Sequence, residues 1–141
     1  MFYYFSFKEY QKLDKNIKDQ FKFLSTSFST PLYWDGESFD PFVPSKELFY
    51  DACKNFKESN FEERYKKQIY SLNKTKILKQ LKRISDDKDI VFLVWEDENK
   101  ESERDIFIPW LTNTTINERK YFSFSLKEKS IKIQQLNIFN L

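Results

Sequence analysis

A carboxylate and a guanidinium that lie close together in sequence are the groups of this chain best suited to chemistry. Glu96 follows the longest apolar run, Ile90 to Trp95, and Arg104 stands at the entry of the next helical pattern. A carboxyl held at the end of a buried strand can serve as general acid or base, and a guanidinium beside it can clamp an anion. Ser25 and Ser27 follow an earlier apolar run, Ser102 stands beside Arg104, and Trp34 and Trp95 offer flat faces. If the two apolar runs are parallel strands, these residues meet beyond the carboxyl ends of the strands, where open α/β sheets hold their ligands. The ligand expected there is a nucleotide or another small anion. Glu96 is then the acid or base and Arg104 the charge clamp, with Ser102 or Ser25 orienting.

Each of these residues also has a plainer reading. Ser102 and Asp105 stand at capping-box spacing, so a helix cap explains them. Glu96 reads equally as a solvated loop residue or an ion-pair partner, and Trp34 as a ring folded over the edge of the core. Cys53, on the apolar side of a helical pattern, reads as a small hydrophobe.

Much other chemistry is excluded by composition. The 141 residues contain no histidine, one cysteine and one glycine. No Ser-His-Asp or Cys-His pair, histidine-based metal site, internal disulfide or zinc knuckle can be built from them. With Gly36 alone, neither G-x-G-x-x-G nor a Walker A loop exists. No metal and no cofactor is therefore expected.

The elements that must position the candidates follow from periodicity. Phe2 to Phe5 reads as a short buried strand, and Ser6 with Glu9 as a helix entry. Phe7, Tyr10, Leu13, Ile17 and Phe21 then recur at helical spacing, and Phe23 to Phe28 is a second strand. Ser29 to Pro44, with Pro31, Asp35-Gly36, Pro41 and Pro44, is a loop. Ser45, Asn60 and Asn73 open three helices, with apolar faces of Leu48, Phe49, Ala52, Cys53 and Phe56, then Phe61, Tyr65, Ile69 and Leu72, then Ile77, Leu78, Leu81 and Ile84. Asp89 to Trp95 is a strand covered on both faces. Ser102 to Thr114 is helical, and residues 121–136 alternate as two strands around Lys127-Glu128-Lys129. The order predicts one α/β domain over residues 1–141, with a mostly parallel central sheet flanked by helices and a C-terminal β-hairpin.

Charge is distributed in blocks. Residues 57–83 carry nine basic and three acidic side chains, and residues 86–105 carry three basic and nine acidic ones. These blocks are adjacent in sequence, so folding could let them attract each other. The basic block raises nucleic-acid binding. Against it stand the helical faces that its apolar residues already form, the acidic neighbour, and a shortage of arginine for bidentate readout. Lysine outnumbers arginine 20 to 4, and abundant Lys, Phe, Tyr, Asn and Ile share AT-rich codons, so part of the lysine content reports the genome. No apolar run approaches the ~20 residues of a membrane helix. Met1 to Phe7 lacks the basic and small residues of a signal peptide, so a cytoplasmic, reducing environment and no membrane partner are expected.

Val43-Pro44-Ser45-Lys46-Glu47-Leu48, Phe61-Glu62-Glu63-Arg64-Tyr65, Ile90 through Glu96, and Arg104 with the closing Trp110-Leu111 recur in order. On these motifs the stretch from about Phe23 to Leu111 resembles the domain-of-unknown-function family 488, small α/β proteins common in bacteria. The resemblance implies a Cys-aromatic-Glu strand end and a Cys-His-Arg helix entry. Here Val94 stands at the strand cysteine and Ser102-Glu103 at the Cys-His pair. Pro109 falls where the family's helix continues, which predicts a kink or a late helix start. A member without the reactive pair is expected to hold a partner rather than transform it. The favoured reading is a non-catalytic module that binds a protein, of the type by which phage or mobile elements block a host factor. An enzyme or binder of a small anion and a nucleic-acid binder remain the alternatives.

Overall fold

The structure, a computed structural model, describes residues 2–96 and 100–113. Four parallel strands form one sheet in the order β1-β4-β2-β3, with β1 at Phe2–Ser6, β2 at Phe21–Ser25, β3 at Glu37–Ser38 and β4 at Asp89–Val94. The helices are α1 (Phe7–Gln11), α2 (Lys15–Lys18), α3 (Lys46–Lys54), α4 (Phe56–Ser59), α5 (Phe61–Tyr70), α6 (Lys74–Ser85) and α7 (Arg104–Thr112), with a 3-10 turn at Asp40–Phe42. This is the expected α/β class with a parallel sheet. The predicted C-terminal hairpin lies outside the described residues.

β4 is central because it is the one strand with no polar residue after its first position, so it tolerates cover on both faces. Its register sets Tyr4 opposite Phe92 and Phe23 opposite Val91. Alternation then sorts the aromatic rings into two layers. On one face Phe92 meets Phe2, Phe39, Phe42 and Phe107, and Phe42 stacks on Phe107 at 4.7 Å. On the other, Tyr3 and Phe23 pair with Phe21, and Tyr10 of α1 packs on Phe23 at 4.9 Å. Each such ring pair contributes roughly 0.5–1.5 kcal/mol beyond area burial.

Local signals moved several boundaries. The helix expected from Phe7 to Phe21 breaks because Asp14 turns back and accepts the Ile17 N–H at 3.0 Å, starting a new helix. The second strand begins at Phe21 and stops at Ser25, three residues before Phe28, because Ser27 N–H turns back onto Ser25 Oγ at 3.2 Å. The loop before α3 holds β3 and the 3-10 turn. Ser45 and Asn73 cap as read, accepting from Leu48 and Lys76 N–H, whereas Asn60 is left-handed at φ 53° with no side-chain cap. Helix α7 continues through Pro109 to Thr112. Cys53 is exposed rather than packed inward.

Among the described residues, no helix is long and apolar enough to cross a membrane. Ion pairs among the described residues include Lys22–Glu37, Arg64–Asp51, Lys66–Glu62 and Arg104–Asp105, each formed within or outside the two blocks rather than between them.

Candidate functional site

The carboxyl ends of β2 and β4 bring Ser27, Glu96, Glu103 and Arg104 into one cluster. Thr26 extends the β2 ladder by donating its N–H to Leu93 O at 3.1 Å, which fixes the start of the following loop beside the end of β4. Ser27 Oγ then donates to Glu103 Oε1 at 3.3 Å. Residues Phe107, Ile108 and Leu111 bury the inner side of α7, and the same helical spacing turns Glu103 and Arg104 inward at its entry.

Arg104 is completely buried. Its Nη1 donates to Glu96 O at 2.8 Å and its Nη2 to Lys100 O at 2.6 Å, while the guanidinium carbon lies 5.0 Å from the Tyr4 ring centroid. Asp105 Oδ1 stands 3.9 Å from Nε. The guanidinium thereby clasps the segment that connects β4 to α7, and its two forked donors face main-chain carbonyls.

Glu103 is buried as well, and its carboxyl is pushed up from 4.5 to about 7. Burial is the main cause, and the charge of Glu96 adds to it. The Ser27 hydrogen bond and Arg104 work in the opposite direction. Glu96 is half-buried, and its Oε2 has no hydrogen-bond partner among the described residues. Tyr65 Oη donates to Phe42 O, and its phenol is pushed well above its usual range by burial and then by Glu103. A carboxyl that titrates near neutrality beside a second carboxylate has the capacity for proton exchange.

The other expected site residues are employed elsewhere. Ser25 accepts the Ser27 N–H on its hydroxyl and the Phe39 N–H on its carbonyl, so it shapes the turn and the β3 junction. Ser102 caps α7, with its N–H given to Asp105 Oδ2 at 3.0 Å and its Oγ accepting from Arg104 N–H at 3.3 Å. Trp34 packs edge-on against Phe7 and Tyr10, on the face of the sheet opposite Arg104. The predicted convergence of Trp34 with Arg104 is therefore corrected. Trp95 is half-exposed and donates Nε1–H to Ser29 O at 2.7 Å, which ties the β2 loop to the end of β4.

Two surface depressions of about 440 and 480 Å³ lie away from this cluster. One runs along α5 beside Lys66, Lys67 and Tyr70, and the other between α3 and α5 beside Ser45 and Gln68. Arg64 and Lys67 line both. Among the described residues, no group of three or more acidic, cysteine or histidine side chains is placed to hold a metal ion.

Glu103 is the member of the cluster that the sequence reading passed over. It sits among Glu101 and Asp105, which together resemble a solvated acidic run. The signal available was its four-residue spacing to Phe107 and Leu111, both inward.

The chain was compared with family models, curated proteins and solved structures, and no match was found in any of the three comparisons.

Proposed function

We propose that this chain is a non-catalytic binding module whose partner is a protein. The observation that supports this reading is the employment of Arg104. The guanidinium expected to clamp a ligand is buried and gives both forked donors to the chain's own carbonyls. The carboxyl end of the sheet instead turns aromatic side chains outward. Phe28, Leu32 and Tyr33 on the β2 loop and Trp95 after β4 are all exposed. Phe28 stacks at 4.4 Å on Phe49 and meets the exposed Tyr50 edge-on, which extends the surface onto α3. Clustered exposed rings of this kind favour protein contact. The resemblance to the domain-of-unknown-function family 488 belongs to this reading. Val94 and Ser102-Glu103 in place of reactive residues suit a scaffold kept for holding.

The test places a photo-crosslinking amino acid at Tyr50 and identifies the captured protein by mass spectrometry. The complex with that protein is then reassembled from purified components. Tyr50→Ala with Leu32→Ser should weaken it at least tenfold, and an unchanged affinity overturns the assignment of this surface.

A second reading is favoured by one observation, the Glu103 carboxyl near pH 7. An enzyme acting on a small anion could use it as acid or base. A turnover abolished by Glu103→Gln or Arg104→Lys, with the fold intact, would establish that reading in place of the first.

A further inference from the structure

We infer that the outer face of α6 is a docking surface for the phosphate backbone of single-stranded nucleic acid. The inference concerns a different surface from the aromatic one above and does not depend on it. From Arg64 through Ser85 the chain has eight basic residues and no acidic one. Acids make up 22 of the 141 residues, so a stretch of this length would ordinarily hold three or four. A genome-wide taste for lysine codons raises the number of cations, but it does not remove acids from one segment and leave them in the next.

Helix α6 buries Ile77, Leu81 and Ser85. Lys76, Lys79, Lys82 and Arg83 are exposed, and their spacing puts them on the side away from those residues. Lys76, Lys79 and Arg83 follow one another at axial steps of about 4.5 and 6 Å. Among the described residues, none of the four takes part in an ion pair. By contrast, the cations of α5 are partly neutralised, Arg64 by Asp51 and Lys66 by Glu62. Helix capping accounts for Lys82 and Arg83, which lie in the last turn where cations are favoured, but not for Lys76 or Lys79.

Several acids of the neighbouring block are placed away from the outer face of α6. The buried Glu103 and the half-buried Asp105 stand at the carboxyl end of the sheet with Ser27, Ser102 and Arg104, and Asp86 and Asp87 lie beyond the helix C-terminus at φ 52° and 62°. A lipid surface fits α6 less well, because the apolar side that would enter the headgroups is already committed to the core. Three lysine heads with a single arginine among them favour phosphate contact without base readout. Tyr70, exposed at the end of α5 beside Lys66 and Lys67, offers a ring on which a base can stack.

The experiment is fluorescence anisotropy of a labelled 20-nucleotide oligo-dT titrated with the full chain at several salt concentrations. Binding should weaken steeply with salt, with a log–log slope of about −3 for four phosphate contacts on a single strand. Lys76→Glu/Lys79→Glu/Arg83→Glu should lower affinity at least tenfold with an unchanged circular dichroism spectrum, while Tyr50→Ala with Leu32→Ser leaves it intact. A salt-independent affinity, or equal binding by the triple variant, overturns the inference. Equal or tighter binding to phosphatidylserine vesicles or to polyglutamate also overturns it, by assigning the face to a membrane or an acidic protein.

Discussion

The hydroxyl of Ser27 donates to Glu103 Oε1 at 3.3 Å, joining the loop after β2 to the entry of α7 across 76 positions of sequence. The bond sits where two buried demands meet. Glu103 must stay inside because α7 packs through Phe107 and Leu111, and the nearby charge of Glu96 opposes ionisation there. Folding therefore favours the protonated carboxyl, which has consequences for stability.

The folded carboxyl of Glu103 titrates at about 7 and the unperturbed group at 4.5. Between those values the folded state binds a proton that the unfolded state has released, so stability falls as pH rises. The contribution is complete below pH ~4.5 and gone above pH ~7, and it amounts to ~3 kcal/mol. Urea unfolding at pH 5 and pH 8 should reveal this loss in the natural chain. Glu103→Gln keeps a group able to bond Ser27 but cannot ionise, so its stability should change far less between the two. Equal pH dependence in both proteins would show that Glu103 does not titrate as described.

Arg104 is expected to be the most sensitive position of the cluster. Replacement by Met removes the donors to Glu96 O and Lys100 O and leaves the Glu103 and Asp105 carboxyls without their buried cation. Loss of one partner from such an arrangement costs about 3 kcal/mol or more. Arg104→Lys keeps the charge but has no planar fork to span both carbonyls, so it should fall between Met and the natural residue. Chemical denaturation of the three proteins at pH 7 checks the order.

Trp95 holds the β2 loop through its bond to Ser29 O. Trp95→Phe keeps most of the packing on Phe7 and removes that donor. The expected cost is about 1 kcal/mol. The loop from Ser27 to Trp34 should also be cleaved faster by chymotrypsin, since Phe28, Leu32 and Tyr33 are exposed there already. An unchanged cleavage rate would mean that the Ser29 bond does not restrain the loop.

Strands β1 and β4 were legible because a six-residue apolar run and the Phe2 to Phe5 run have few alternatives, whereas the two-residue β3 carries no such run. Ser6, Ser45 and Asn73 were legible because a side-chain cap is a local interaction. Asp14 and Ser25 were not, since each used a local side-chain bond to interrupt a pattern that periodicity alone would continue. In the site, the approach of Glu96 to Arg104 followed from a parallel sheet. The form of that approach did not. The guanidinium meets the Glu96 carbonyl, a main-chain group that no residue type announces. Glu103 was hidden for the converse reason, being an acid at a position where the helix face, rather than polarity, decides burial.

Gly36 is the clearest case of a residue whose type is dictated by a neighbour. The ring of Trp34 lies across it, and a β-carbon at position 36 would stand 2.4 and 2.5 Å from two carbons of that ring. Those distances are far inside van der Waals contact, so Gly36→Ala must displace the indole. The ring is held by Phe7 and Tyr10 at 5.7 and 5.3 Å, and so it cannot yield without loosening α1. The expected cost is about 1–3 kcal/mol, the range for overpacking a close-packed site. In a background carrying Trp95→Phe and Trp110→Phe, the remaining indole reports its own surroundings. Its emission should shift to the red in Gly36→Ala as the ring gains solvent. A variant with unchanged emission and unchanged stability would show that the ring does not rest on Gly36.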